Sequence, residues 1–241
     1  RIVSQSSPTG TQYHQAVGAA QTRKREGTKE VVYVSSGEGT TSQGEVHEAL
    51  NWASRDKVPV IFHVQNNHFA ISVPIESQTA GASVYKISAG YENLARFNVN
   101  GTDFFETHLA FNKSVERARQ GKGPSLVISD VVRLLSHSSS DDQRKYRLER
   151  EIEADKKRDP LTNFSEICVK EKIIKQKDFE NIVREAVELV IQSAALDNKG
   201  KKGEIFVLEM GDPIAINEIA KNYMRYIIIN IKIINKIKII I

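Results

Sequence analysis

Two short clusters in this chain combine residue types that chemistry uses. The first is Gly37-Glu38-Gly39, followed further on by Gln65-Asn66-Asn67. Two glycines let a backbone approach a phosphate closely, and a helix that starts just after them offers unpaired N–H groups to an anion. Glu38 has the wrong sign for phosphate itself, so the pattern makes sense when a divalent cation stands between them. A hard cation such as Mg2+ takes oxygen ligands, usually one or two carboxylates plus phosphates, and the amide oxygen of Asn67 completes such a set. Taken singly, the first half is more readily a glycine turn with a surface Glu, and the second an Asn-rich turn. The two together, at this spacing, favour the cation site.

The second cluster is Arg133-Leu134-Leu135-Ser136-His137-Ser138-Ser139-Ser140-Asp141-Asp142. It puts a phosphate partner, a titratable imidazole and paired acids on one segment. In isolation this is as readily a solvated serine-rich turn with an incidental His. The other histidines, His14, His47, His63, His68 and His108, form no metal-ligand spacing and read as structural or exposed.

The elements around these clusters place both at strand ends. Val31 to Val34 is an apolar, β-branched run, and an amphipathic helix with Val46, Leu50 and Ala53 on one face follows the glycines. Val58 to Val64 is a second apolar run that ends on the Asn pair. A strand, loop, helix, strand unit predicts two parallel neighbours joined by a right-handed crossover, with ligands beyond the carboxyl ends. Pro124 to Ile128 predicts a further strand leading into the Arg133 segment. Asp103 is the expected N-cap of a helix with Phe104, Phe105, Leu109 and Val115 on its buried side. Ser6 to Gln12 predicts a rigid polar loop capping a helix over Gln15 to Arg25, and Ser72 to Gly90 a surface loop. Leu148 to Asp159 reads as a solvated, charged helix face, and a periodic helix opens at Asp178.

With Asn66-Asn67, Gly37-Glu38-Gly39 resembles the thiamine diphosphate motif, in which a Gly-acid-Gly turn and a distal Asn hold Mg2+ on the diphosphate. Residues 1–164 are similar to the α subunit of the thiamine-dependent first component of 2-oxo acid dehydrogenase complexes. The branched-chain type, with Glu between the glycines, is nearest in pattern. The order Arg133, His137, Ser138, Asp141, Asp142, Tyr146 and Arg147 matches that family's loop, and Ser6-Ser7-Pro8 with Thr11-Gln12 matches its aminopyrimidine segment. The resemblance implies an α/β fold, a parallel sheet flanked by helices, of the thiamine-diphosphate-binding type and N-terminally truncated. It implies cofactor contacts from Ser7, Thr9, Gly37, Glu38, Gly39, Thr40, Asn67, Arg133 and His137. Mg2+ would be held by Glu38, Asn67 and the main-chain oxygen of Phe69, with His137 near the reacting carbon. Ser138 aligns with a serine that is phosphorylated in mitochondrial relatives. The implied activity is oxidative decarboxylation of a 2-oxo acid with acyl transfer to a lipoyl group. The implied partners are a β subunit, in a heterotetramer, and the lipoyl acyltransferase.

Composition narrows the alternatives. The chain has 241 residues and a formal charge of +4. Lys232, Lys236 and Lys238 of the last stretch supply three of those charges, and no basic stripe with interleaved aromatics occurs elsewhere, which argues against nucleic acid. Cys168 is the only cysteine, so an internal disulfide is excluded and a reducing compartment is expected. Arg1 to Gln21 is polar without a signal-peptide pattern, and no segment has the length and apolarity of a membrane helix. A cytoplasmic location is expected, or the mitochondrial matrix in a eukaryote.

The organisation expected is a partial thiamine-diphosphate-binding domain at 1–164, a helical C-terminal segment with a short α/β appendage at 165–226, and a tail at 227–241. From about Val187, most clearly Gly203-Glu204-Ile205-Phe206-Val207-Leu208, the sequence resembles the end of polysaccharide-biosynthesis nucleotide-sugar epimerases and dehydratases. That family's dinucleotide glycines and catalytic Tyr and Lys are absent, so no activity is transferred. Ile227 to Ile241 holds only Ile, Asn and Lys and is prone to β-aggregation. The alternative function is a catalytically inactive fragment or chimera serving as a binding or structural module.

Overall fold

The computed structural model describes residues 7–196; the epimerase-like stretch and the Ile-rich tail lie outside the described residues. Residues divide into two compact units, Arg1–Ile173 and Ile174–Ile241.

In the first unit the elements are α1 (Thr11–Arg25), β1 (Val32–Gly37), α2 (Gly44–Asp56), β2 (Val60–Asn66), β3 (Phe69–Ala70), β4 (Val73–Pro74), α3 (Val84–Ile87), β5 (Ala95–Asn100), α4 (Phe104–Arg119), β6 (Ser125–Asp130), α5 (Glu149–Lys156) and α6 (Pro160–Lys170). Four strands form one parallel sheet in the order β1-β2-β6-β5, and β3 with β4 makes a small antiparallel hairpin. The expected parallel sheet flanked by helices is therefore observed. The central strands β2 and β6 are buried over five consecutive residues each, as continuous apolar runs in two-sided parallel sheets are.

The crossover from β1 to β2 and that from β5 to β6 run in opposite directions along the sheet. With both right-handed, α2 and α4 must lie on opposite faces. The two cores agree. Val34, Val60, Phe62, Val64, Leu126 and Ile128 pack with α1 and α2, whereas Ile61, Val99 and Val127 pack with Ala110 of α4. The crevice at the carboxyl ends of β2 and β6 is where such sheets open a ligand site.

Several local expectations are corrected. Helix α1 begins at Thr11 rather than Gln15, and no hydroxyl caps it. Its N-cap is Gly10 at φ 102, where the Thr11 hydroxyl instead donates to the Pro8 carbonyl. Asp103 caps α4 as expected, accepting from the Phe105 and Glu106 amides. Val115 packs on the core as expected, but the fully buried residues of α4 are Ala110, Ser114 and Ala118, and Phe104 and Leu109 are exposed. At about 100° per residue, Leu109 falls a quarter turn or more off the Ala110–Ser114–Ala118 line. Phe104 packs instead on Phe164 of α6, centroids 4.7 Å apart. Residues 72–90 are no plain loop: Ile75 and Val84 are buried and anchor the hairpin, three 3-10 turns and α3. Strand β5, which follows this segment, was not anticipated. In the second unit the periodic helix, α7, spans Gln176–Leu196, starting two residues before Asp178.

Beneath α4 runs a polar chain whose His63 and Ser129 are buried. His63 Nδ1 lies 2.8 Å from the Tyr33 hydroxyl and Nε2 2.9 Å from Ser129 Oγ, so each ring nitrogen has a hydroxyl partner that can donate or accept and a neutral ring is fully satisfied. Burial holds the His63 imidazole below its ordinary value of 6.5. The unfolded chain therefore takes up this proton first, and stability is lost as pH falls from 6.5 through the lower folded value. Urea unfolding from about pH 7.5 down to about pH 5 should show a steeper loss in the wild type than in His63→Gln. Equal slopes would place the acid sensitivity elsewhere.

Candidate metal and anion site

Register positions the first cluster. Gly37 at the end of β1 lies opposite Gln65 of β2, so the residues that follow each strand meet at one edge. Tyr13 of α1 stacks on Phe62 at 5.5 Å, and its hydroxyl, 2.7 Å from Ser36 Oγ, fixes the last turn before the glycines. Burial pushes the Tyr13 hydroxyl up to about 12, so it stays a neutral donor.

Residues 38–42 then form a 3-10 turn in which the Thr41 hydroxyl donates to the Glu38 carbonyl at 2.6 Å. Glu38 was expected on a surface loop, and that is corrected: it is 0% exposed. Its Oε2 accepts the Asn67 amide at 3.2 Å, while Oε1 is buried with no partner among the described residues. A buried carboxylate is costly unless charge and lone pairs are both met, so this oxygen calls for a cation. Gly39 is required for a steric reason: a Cβ there would stand 2.6 Å from the Ala70 Cβ. Thr40 is buried in the same turn.

Asn67 Oδ1 accepts the Phe69 amide at 3.1 Å and keeps a second lone pair. Phe69 lies opposite Pro74, which has no N–H to offer its carbonyl. No group of three or more His, Cys, Asp or Glu side chains that could hold a metal occurs among the described residues. A site here would draw on one carboxylate, one amide oxygen and one main-chain oxygen, with the ligand's own oxygens beside them. That set suits a hard cation.

The second cluster folds against the first. Arg133 Nη1 donates to the Ile71 carbonyl at 2.7 Å, and Nη2 to the Tyr146 hydroxyl at 2.7 Å. Its guanidinium lies 5.4 Å from the Phe69 ring centroid and 5.5 Å from that of Tyr146. Arg147 also lies 5.4 Å from the Phe69 centroid, so two cations share one ring. Arg147 is neutralised by Asp155 at 2.5 Å. Arg133 has no ion pair among the described residues, and its Nε is buried without a partner. A guanidinium without a direct ion pair, its nearest acid Asp141 reached through the Tyr146 hydroxyl, thus lies across the β3–β4 hairpin from a carboxylate with a bare oxygen, a charge pattern that a cation bound to an anion would complete.

His137 stands on the far side of this loop. Its main-chain N–H donates to Asp141 Oδ2 at 2.9 Å, and its imidazole is exposed with no hydrogen bond among the described residues. The Tyr146 hydroxyl donates to the same oxygen at 2.6 Å and, with the His137 amide, holds the Asp141 carboxyl below its usual range. Ser138 is exposed and pairs with Ser140 at 3.1 Å. Ser7 and Thr9 are exposed in the turn before α1. Among the described residues no hydrogen bond joins them to the other site residues, although Gly10 beside them packs on Gln43 at the start of α2.

The structure thus joins Glu38, Gly39, Asn67, Phe69 and Arg133, and leaves Ser7, Thr9 and His137 peripheral to that group. Sequence reasoning missed the burial of Arg147 and its bond to Asp155, because both lie in a charge-dense stretch that reads as solvated. No helical spacing betrays it, since Leu148, in extended conformation, separates Gln143 and Arg147 from the helix that carries Asp155. It also missed Tyr13–Ser36, which no local pattern betrays.

Two substitutions probe this geometry. Gly39→Ala should destabilise by about 1–3 kcal/mol in thermal unfolding, the usual cost of forcing a methyl into a filled space. Glu38→Gln, measured without divalent cations, should raise the melting temperature, because it keeps the Asn67 bond and removes an uncompensated buried charge. A lower value would show that the carboxylate is neutralised by protein groups alone.

The model of the dehydrogenase E1 component family matches residues 1–204. The chain is similar to the 2-oxoisovalerate dehydrogenase subunit alpha of Bacillus subtilis, 38% identical over 194 residues, 80% of this chain and 58% of that protein. To the pyruvate dehydrogenase E1 component subunit alpha of the same organism it is 34% identical over 188 residues, covering 76% of this chain and 50% of the relative. A solved transketolase of Campylobacter jejuni is similar over 51% of this chain and 20% of its own, with 24% identity and a TM-score of 0.40. The chain spans about half the length of the curated relatives it matches. Matched over most of its length by the family's model, the chain belongs to the dehydrogenase E1 component family.

Proposed function

We propose that this chain is the thiamine-diphosphate- and Mg2+-binding α-subunit portion of a 2-oxo acid dehydrogenase of the branched-chain type. The observation that carries the reading is the fully buried Glu38 carboxylate, with one oxygen bonded to Asn67 and the other bare, beside an Arg133 free of ion pairs. Glu between the glycines, and 38% identity to the 2-oxoisovalerate relative against 34% to the pyruvate one, favour a branched-chain substrate.

Under this reading Glu38, Asn67 and the Phe69 carbonyl hold the cation, and Arg133 offers its guanidinium to the diphosphate. Gly37 and Gly39 leave room for the anion to approach the main chain, with Thr40 in the same turn. The cofactor, when bound, supplies the nucleophilic carbon and the electron sink that decarboxylation needs. The role proposed for His137, carried over from the family's loop, is proton transfer near the reacting carbon. Ser7 and Thr9 contribute from the turn before α1. The partners are a β subunit carrying the glutamate that activates the aminopyrimidine, and a lipoyl acyltransferase that receives the acyl group.

Calorimetric titration with thiamine diphosphate tests this. Affinity should depend on Mg2+, and Glu38→Ala should weaken it by more than about 100-fold, beyond what removal of an outer-shell partner does. Cofactor binding unchanged in that variant would end the assignment. The purified chain alone should not turn over 3-methyl-2-oxobutanoate, and turnover above a no-protein control would show that the partner glutamate is not needed.

A further inference from the structure

A second orphan lies at the same turn. Gln78 follows the 3-10 turn Ile75–Ser77, and its amide N–H and that of Thr79 both bond the Ile75 carbonyl, at 3.2 and 2.9 Å. Ile75 is buried, and its own N–H donates to the His68 carbonyl at 2.9 Å, one residue from Asn67. The backbone of Gln78 is therefore locked to the strand end that carries Asn67. Its side chain turns to the glycine turn, with Oε1 3.7 Å from where a Cβ on Gly39 would stand. Its Nε2 is buried and has no acceptor among the described residues.

An amide donor buried without an acceptor loses its hydrogen bond to water and gains nothing in return. Glu38, the residue before Gly39, thus leaves an acceptor unmet, and the Gln78 amide, whose Oε1 stands beside Gly39, leaves a donor unmet; the two are not bonded to each other. A lone cation would satisfy the first and be repelled by the N–H dipole of the second. A lone anion would satisfy the second and be repelled by the carboxylate. A bridging water would meet both hydrogen bonds but leave the carboxylate's charge uncompensated, whereas a cation carrying an anionic oxygen meets both groups and the charge.

We propose that Gln78 is a further binding residue of this site, donating its side-chain amide to a phosphate oxygen of the anion on the Glu38-held cation. The assignment rests on the thiamine diphosphate reading above and deepens it. Two variants separate its consequences, each checked for an unaltered melting profile. Gln78→Leu removes the donor at similar size: Mg2+-dependent binding of thiamine diphosphate, and of inorganic pyrophosphate, should weaken about 10-fold or more, with Mn2+ alone bound as before. Gln78→Glu keeps the shape and adds a carboxylate: thiamine diphosphate should weaken further, while Mn2+ alone binds more tightly.

That opposite movement is the signature of direct contact, since a residue that merely props up the turn would weaken both ligands. Wild-type affinity for thiamine diphosphate in Gln78→Leu, or parallel loss of Mn2+ and cofactor in both variants, overturns the assignment alone. A wild-type protein that binds no thiamine diphosphate overturns the parent reading, and this one with it.

Discussion

A carboxylate taken fully out of water at the end of a parallel strand is the constraint on which the rest of this structure turns. Glu38 can be there only if the surrounding chain supplies donors and if something neutralises its charge. The fold supplies one donor, the Asn67 amide, and brings it into reach through the register of β1 and β2. It supplies closeness through Gly39, where the hairpin residue Ala70 leaves no room for a side chain. It does not supply the second partner, and the bare oxygen is the clearest mark of a site that a ligand completes.

The opposite charge is handled with comparable economy. Arg147 has Asp155 to neutralise it, but Arg133 is oriented by a carbonyl, a phenol and two ring faces, all uncharged. Such partners fix a guanidinium's plane without cancelling its charge. A carboxylate in their place would have given a conventional ion pair and left nothing for a phosphate. The two arginines therefore differ in how directly their charge is met: Arg147 by Asp155 itself, Arg133 by Asp141 only through the Tyr146 hydroxyl.

The chemistry of both clusters was legible in the sequence because it depends on residue type at short spacing. The Gly-Glu-Gly turn, the distal Asn and the Arg-to-His segment stand out for that reason, as do the strands that end on them. What was not legible depends on facing and burial. Leu109 is as apolar as any core residue, yet α4 meets the sheet through Ala110, Ser114 and Ala118, because small side chains let the helix approach closely. Arg147 looks like one charge among many until Gln143 and Asp155 close over it. Glu38 reads as exposed because carboxylates usually are. Its burial is a property of strand register, which the local sequence does not display.

Topology explains why two clusters more than sixty residues apart in the chain act on one another. Strand β6 inserts between β2 and β5, so the segment after β6 leaves the sheet beside the segment after β2. The Val131 amide bonds the Asn66 carbonyl at 2.9 Å, which starts the two loops in contact. From that point Arg133 reaches the Ile71 carbonyl and covers Phe69, two residues beyond Asn67. Asn67 is thus held from one side by Glu38 and, through Phe69, from the other by the Arg133 loop. Any change that loosens the aromatic contact acts on the residue that bonds the buried carboxylate, so the surroundings of Glu38 and of Arg133 are set by the same few bonds.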